Sequence, residues 1–292
     1  MKKLHLISAA LLCLIVASSS MALPGEGIVV KDGQKVAFLG DSITQFGARN
    51  PVGYVNLVIT GFKVNGLNVI SVPAGVSGNT SKDMLARLDK DVISKKPDWV
   101  TISCGVNDVW HGAKGVELDP YKANMTSIVD QCQAAGIKVM LLTATMIKED
   151  QPNSNNQKLT AYNEFLRTLA KEKHCLLADL NALMQAEVKR LNDSASAHGN
   201  TLTVDGVHMN AAGNEMMASG VLSAFGLSEA QIKDARGKWD NIPKAVEVGM
   251  ISVSIRQYKA LDAVAAKRNQ SVADMVNAAI AKTVDDLLKE TR

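Results

Sequence analysis

The chain has 292 residues, of which 47% are hydrophobic and 21% are charged, so it is long enough to bury a full core and has the composition of a globular protein. Its formal charge of +3 falls to +1 without Lys2 and Lys3 at the start of the chain. So small a charge leaves no electrostatic footprint for nucleic acid or an anionic membrane, and neither is expected as a partner.

Residues 1–22 have the pattern of a secretory signal peptide. Two lysines are followed by an almost wholly apolar run over 4–17, and Ser20 and Ala22 are small residues of the kind that a signal peptidase requires. The apolar run is too short for a typical membrane span, although a retained anchor is the alternative. We therefore expect a secreted or periplasmic protein with no integral membrane span after cleavage.

The four cysteines do not form a recognisable zinc or redox motif. Cys13 lies in the predicted signal peptide, where the large Leu12 before it is unsuited to lipid attachment. Cys104 ends an apolar run and is expected to be a buried thiol. A disulfide between Cys132 and Cys175 stays open in an oxidising compartment.

Between residues 35 and 225, short apolar runs alternate with helical patterns. Strands are predicted over 36–39, 68–72, 99–103, 138–143 and 176–179. Helices are predicted over 52–62, 82–93, 120–135, 157–173, 181–191 and 211–225. Five strands separated by helices indicate an α/β domain with a parallel sheet that is covered on both faces.

The pattern changes after Phe225. Residues 226–247 are polar and are expected to wrap the surface, whereas apolar residues alternate with polar ones over 251–255, as in a half-buried strand. Two helices are predicted to follow, over 258–267 and 272–289. This order resembles a ribbon-helix-helix unit. Because an exported protein does not meet DNA, we expect a dimerising or surface-packing appendage rather than a DNA-binding one.

The first predicted strand ends in a candidate nucleophile. Its apolar run breaks at Gly40, which allows a sharp turn, and delivers Asp41 and Ser42 at the carboxyl end of the strand. In an open α/β sheet, ligands usually bind at this edge. Ser42 can act as a nucleophile if a base and oxyanion donors converge on it.

Among the five histidines, His208 is the best candidate base. It follows Asp205 by three residues and precedes a predicted helix, so one loop can present an imidazole and the carboxylate that orients it. His111 is the second choice. The other three are weaker candidates. His5 lies in the predicted signal peptide, His174 precedes a predicted strand and His198 lies in a polar loop.

Candidate oxyanion donors follow the second and third strands. Gly78 can expose its backbone N–H, and the side-chain amide of Asn107 can donate to a developing negative charge. Each residue taken alone is also what an ordinary turn uses.

Four short motifs occur in a fixed order along the chain. They are Gly40-Asp41-Ser42, Ser77-Gly78-Asn79-Thr80, Gly105-Val106-Asn107-Asp108 and Asp205-Gly206-Val207-His208. Together they resemble the SGNH (GDSL) hydrolase family, whose signature residues are Ser, Gly, Asn and His in that order. The resemblance covers about residues 35–225.

The resemblance implies a role for each of these residues. Ser42 would be the nucleophile, His208 the base and Asp205 the orienting acid, while the Ser42 N–H, the Gly78 N–H and the Asn107 side chain would form the oxyanion hole. The implied fold is a flavodoxin-like three-layer α/β/α sandwich around a five-stranded parallel sheet.

The predicted domain organisation follows from these boundaries. A signal peptide over 1–22 precedes a hydrolase domain over 23–227, and a mostly helical C-terminal extension over 228–292 lies outside the family core.

Rival catalytic motifs are missing from the sequence. It contains no Gly-x-Ser-x-Gly elbow, Ser-x-x-Lys pair, phosphate-binding Gly-x4-Gly-Lys or His-Glu-x-x-His. The sequence therefore supports neither a metal site nor a cofactor.

The expected reaction is hydrolysis of a carboxylic ester through an acyl-enzyme. The family includes carbohydrate O-acetylesterases, lysophospholipases and thioesterases. Only 4% of residues are aromatic and no long apolar insertion suggests a lid, which favours short acyl groups such as acetyl esters on carbohydrate. Candidate substrate contacts are Asp41, Trp110, His111 and Met146.

Two alternatives remain open at this stage. The chain could be a lipid hydrolase of the lysophospholipase or thioesterase type, or a catalytically silent member that binds carbohydrate or acts as a scaffold. A homodimer through residues 250–289 is a further expectation.

Overall fold

The computed structural model describes residues 27–193, 200–242 and 272–290, together with 260–261, 263–265 and 267–270. The predicted signal peptide, His198 and the predicted strand over 251–255 lie outside the described residues. The chain divides into two compact units, Met1–Ala245 and Val246–Arg292.

The first unit is built on a five-stranded parallel sheet. Its strands are β1 (Lys35–Gly40), β2 (Ile70–Gly75), β3 (Trp99–Ser103), β4 (Lys138–Leu142) and β5 (Leu176–Ala178). They lie in the order β2-β1-β3-β4-β5. The chain passes from β1 to β2 in one direction along the sheet and from β3 to β4 in the other. A crevice therefore forms outside the carboxyl ends of β1 and β3, where ligands bind in folds of this kind.

Helices cover both faces of the sheet. They are α1 (Ser42–Arg49), α2 (Tyr54–Val64), α3 (Ser81–Asp91), α4 (Val106–Trp110), α5 (Leu118–Ala134), α6 (Ser154–Glu172), α7 (Leu180–Asp193), α8 (Ala211–Ala224) and α9 (Glu229–Trp239). Helix α2 packs against α1, α8 and α9, and α7 packs against α8, whereas α5 packs against α3 and α6. The expected three-layer α/β/α sandwich is confirmed.

Strand β2 lies further along the chain than predicted. Pro73 and Gly75 are residue types that favour turns, yet residues 73–75 pair with the last three residues of β1. The strand stands at the edge of the sheet, where a proline that cannot donate a hydrogen bond is tolerated.

Helix α9 corrects the expectation that residues 226–247 wrap the surface. Ile232, Ala235 and Trp239 recur at helical spacing on its buried face. The Trp239 indole Nε1–H donates to the Leu57 carbonyl of α2 at 3.1 Å. The first unit therefore extends well beyond the predicted boundary at residue 227.

The second unit contains helix α10 (Val272–Glu290), which agrees with the helix predicted over 272–289. Large apolar side chains at Val284, Leu287 and Leu288 are exposed on it. None of the helices that the structure describes is both long enough and apolar enough to cross a membrane.

The close approach of α1 to the end of β2 requires Gly75. A Cβ there would overlap the Gln45 backbone nitrogen and lie 2.7 Å from the Thr44 carbonyl carbon. Because backbone atoms cannot swing aside, we expect Gly75→Ala to lower the free energy of unfolding by about 1–3 kcal/mol, measured by urea denaturation.

Gly237→Ala is the matched control. Gly237 lies on the exposed side of α9 with no atom within 4 Å of an added Cβ. This change should raise the free energy of unfolding by about 0.5–1 kcal/mol, because alanine favours helix more than glycine does. Equal stability of the two variants would contradict the packing argument.

Candidate active site

Ser42 is the first residue of α1, directly after the carboxyl end of β1. The Asp41 carboxylate caps this helix by accepting a hydrogen bond from the Ile43 N–H at 2.9 Å. The Ser42 backbone N–H belongs to the first turn, whose N–H groups have no partner inside the helix. The side chain is 9% exposed, so the hydroxyl lies at the floor of the crevice.

His208 and Asp205 meet Ser42 from the loop before α8. The His208 Nε2 lies 2.9 Å from the Ser42 Oγ, and its Nδ1 lies 2.6 Å from the Asp205 Oδ2. The other Asp205 oxygen accepts hydrogen bonds from the backbone N–H groups of Val207 and His208. This arrangement fixes the carboxylate within its own loop.

The protonation pattern follows from these contacts. Partial burial raises the pKa of Asp205, but hydrogen bonds from the His208 ring and from two backbone N–H groups outweigh this and hold the pKa below its usual value. An ionised carboxylate only accepts, so the neutral imidazole carries its proton on Nδ1 and presents Nε2 to the Ser42 hydroxyl as an acceptor. An imidazole in this position can take the serine proton.

Phe46 is a neighbour that the sequence analysis missed. Its ring packs edge-on against the His208 ring, with centroids 5.2 Å apart, and Phe46 is 47% exposed. It lies four residues after Ser42, on the same face of α1, and this spacing could have identified it.

The candidate oxyanion donors come from the loop after β2 and from the first turn of α4, which follows β3. Gly78 has a φ of +78°, a left-handed conformation that glycine adopts without strain. The Asn107 side chain is buried and donates one Nδ2–H to the Asn79 carbonyl at 3.1 Å. Among the described residues its second N–H has no partner.

A cavity of about 390 Å³ brings most of the predicted site residues together. It is lined by the predicted residues Ser42, Gly78, Asn107, Trp110, His111, Asp205 and His208, and also by Phe46, Ser77 and Val207.

Two of the candidate substrate contacts, Asp41 and Met146, do not line this cavity. Asp41 is 2% exposed because its side chain caps α1. Met146 is buried in a small apolar cluster with Met184, Val188 and Leu202, because the chain after β4 turns inward toward α7. Neither residue reaches the crevice.

Arg87 is the second residue that the sequence did not reveal. Its guanidinium donates to the carbonyls of Gly40 and Ala74, both at 2.8 Å, and to the Asn79 Oδ1 at 2.6 Å. It also pairs with Asp91. One cation therefore holds the ends of β1 and β2 and the residue that follows Gly78.

Glu149 plays a comparable part for the loop that carries His208. Its carboxylate accepts hydrogen bonds from the backbone N–H groups of Thr201 and Leu202 and from the hydroxyls of Thr201 and Thr203. Partial burial raises the pKa of Glu149, but these bonds outweigh it and lower the pKa. The preceding Lys148 N–H donates to the Gly206 carbonyl at 2.6 Å.

The part of the chain that the structure describes holds no cluster of three or more histidine, cysteine, aspartate or glutamate side chains suited to a metal ion. Cys104, Cys132 and Cys175 are free thiols, so no Cys132–Cys175 disulfide is present.

Comparison with known proteins gives a consistent set of relatives. The model of the GDSL-like Lipase/Acylhydrolase family matches residues 38–216. An acetylxylan esterase from Geobacillus stearothermophilus is 31% identical over 218 residues, which cover 68% of this chain and 96% of the relative. Esterase TesA from Pseudomonas aeruginosa is 29% identical over 145 residues, covering 49% of this chain and 69% of the relative.

Solved structures agree with these relatives. The crystal structure of the acetyl xylan esterase AlAXEase is 35% identical, with a TM-score of 0.60, and the match covers 65% of this chain and 98% of that one. The crystal structure of the Geobacillus stearothermophilus acetylxylan esterase is 31% identical, with a TM-score of 0.61, and the match covers 68% and 97%.

The buried Asp41 predicts a pH dependence of stability. Burial raises its pKa from 3.8 to about 6 in the folded protein. Between these values the folded state holds a proton that the unfolded chain has lost, so the contribution of Asp41 to the free energy of unfolding falls as pH rises. Asn at this position keeps the acceptor for the Ile43 N–H but does not titrate.

We therefore expect the free energy of unfolding of the wild type, relative to that of Asp41→Asn, to fall by roughly 2 kcal/mol between pH 4 and pH 7. Urea denaturation of both proteins across this range measures the difference, in which the groups that titrate independently of Asp41 cancel. Parallel stability curves would show that the folded protein does not hold a protonated Asp41.

Proposed function

Because this chain belongs to the GDSL-like Lipase/Acylhydrolase family, whose members include the SGNH hydrolases, and is a carboxylic ester hydrolase, we propose that Ser42, His208 and Asp205 carry the reaction. We propose further that the substrates are short acyl esters, above all acetyl esters, of carbohydrates. The unbroken chain of hydrogen bonds from the Ser42 hydroxyl through His208 to Asp205 is the observation that supports the catalytic assignment.

In the first step the His208 Nε2 takes the proton from the Ser42 Oγ as this oxygen attacks the ester carbonyl carbon. The Asp205 carboxylate stabilises the imidazolium that forms. His208 then gives its proton to the departing alcohol oxygen as the bond between that oxygen and the acyl carbon breaks. The product is an ester of the acid with Ser42.

In the second step a water molecule replaces the alcohol. His208 takes a proton from the water as the water oxygen attacks the acyl carbon, and returns it to the Ser42 Oγ as the acid leaves. The enzyme regains its starting state.

Three donors would hold the negative oxygen in both steps: the Ser42 N–H, the Gly78 N–H and the second Nδ2–H of Asn107. The Asn79 carbonyl fixes the Asn107 amide, and Arg87 fixes the Asn79 side chain. Donors that are oriented before the reaction need no reorganisation as charge develops, and removing one typically slows turnover by about a hundredfold or more.

The proposal of a carbohydrate substrate is supported by the relatives of the chain and by the cavity. The acetylxylan esterases match at 31% and 35% identity over nearly their whole length. The described lining of the cavity combines polar groups with the rings of Phe46, Trp110 and His111, and its volume of about 390 Å³ suits a short acyl group on a sugar. A catalytically silent member is disfavoured, because every side chain that the reaction needs is present.

Export is part of the proposal and rests on residues 1–22. Their basic start, apolar run and small residues are those of a signal peptide. One further relative, a lipoprotein from Bacillus subtilis that is 24% identical, covers 58% of this chain. Mass determination of the exported protein, with the loss of 22 residues expected, tests this part.

We expect Ser42→Ala to lower kcat for p-nitrophenyl acetate by about 10⁴-fold or more, because no other group can form the acyl-enzyme. Ser94→Ala is the control, since this hydroxyl is exposed on another face and donates only to the Lys90 carbonyl. A Ser42→Ala protein that turns over like the wild type would overturn the assignment.

A chain-length series of p-nitrophenyl esters tests the acyl specificity. We expect kcat/KM to be highest for acetate and to fall by about tenfold or more by octanoate, because the added methylenes must fit in a cavity of about 390 Å³. Rising kcat/KM with chain length would favour the lipid hydrolase alternative.

A further inference from the structure

A second cavity, of about 340 Å³, adjoins the candidate active-site cavity. The side chains of Phe46, Asp205 and His208 line both cavities and form the wall between them. The remaining lining residues of the second cavity are Ile43, Asn50, Val204, Met209 and Asn214.

The reaction geometry assigns the second cavity to the alcohol side of an ester. Gly78 and Asn107 line only the first cavity, so the carbonyl oxygen binds there. His208 must protonate the departing alcohol oxygen, so the alcohol begins beside the imidazole. If the alcohol part of the ester is larger than one sugar ring, it therefore extends past the side chains of His208 and Phe46 into the second cavity.

The surface beyond that wall is apolar and exposed. Phe46 is 47% exposed and Val204 is 67% exposed. Large apolar side chains exposed together beside a polar site are typical of a ligand-binding surface. An aromatic face of this kind packs well against the C–H face of a sugar ring.

Asn50 supplies polar groups at the same cavity. Its Oδ1 accepts a hydrogen bond from the Val52 N–H at 3.0 Å, which orients the amide. Within the described part of the chain its Nδ2 donates to nothing, so both N–H groups are available to a hydroxyl. By contrast, both ends of the Asn214 amide are engaged with backbone groups.

We propose that the second cavity is a subsite for the sugar next to the esterified one in an oligosaccharide chain. Phe46 and Val204 pack against the ring of this sugar, and the Asn50 amide donates to one of its hydroxyls. The inference rests on the proposed carbohydrate ester function and adds that the enzyme acts on chains rather than on single sugars.

The test compares three acetyl esters: acetylated xylotriose, acetylated methyl xyloside and p-nitrophenyl acetate. For the wild type we expect kcat/KM to be higher for the trisaccharide than for the single sugar. Phe46→Ala should lower this ratio by about tenfold, mainly through KM, because the apolar contact is lost. Asn50→Ser, which keeps a short acceptor for the Val52 N–H, should lower it by about threefold or more.

The Phe46 ring also contacts His208, so a change there could act on His208. Asn50→Ser is a second test of the subsite, because the hydrogen bond of the Asn50 side chain is to the Val52 N–H and not to the catalytic side chains. Lys90→Met, on the exposed side of α3, is the control and should leave the ratio unchanged. If both sugar esters are hydrolysed and neither variant changes the ratio, the subsite is wrong while the carbohydrate ester function stands. If only p-nitrophenyl acetate is hydrolysed, the carbohydrate substrate and the subsite both fail.

Discussion

The hydrogen bond between Ser42 and His208 joins residues that are 166 positions apart. The rest of the first unit has to hold these two side chains in contact. A proton can pass between these atoms only if two loops hold them within hydrogen-bond distance. Ser42 is fixed by strand β1 and by the Asp41 cap on α1. His208 has no strand beneath it, so its position depends on the contacts of its loop.

Two charged side chains hold the loops of the site by binding backbone groups. Arg87 ties the ends of β1 and β2 to the turn that carries Gly78, and Glu149 ties the segment from Thr201 to Thr203 to the loop after β4. Hydrogen bonds to a charged group are among the stronger ones in proteins, and partial burial shields these from water. These contacts hold the loops that carry Gly78, Asp205 and His208 in place around the cavity.

The fold class and the strand that precedes each of the first three motifs could be predicted from the sequence, because short motifs and apolar periodicity are local signals. The same signals selected Ser42, Gly78, Asn107, Asp205 and His208, which the structure brings together around one cavity. Arg87 could not be found this way, since its position in α3 resembles any exposed helical arginine until strands β1 and β2 are side by side. Pro73 and Gly75 concealed the end of β2, because their edge position is a property of the whole sheet.

Helix α9 extends the folded first unit beyond the residues that the family model matches. Its Trp239 side chain packs against α2 and donates to the Leu57 carbonyl, so the apolar side chains of α2 and α9 cover each other only when the chain continues to residue 239. The acetylxylan esterases align with about two thirds of this chain, and the family model stops at residue 216. A shortened enzyme that ends at the limit of the family match would expose the apolar face of α2 to water. The smallest form of this hydrolase that folds by itself is therefore longer than the family match suggests.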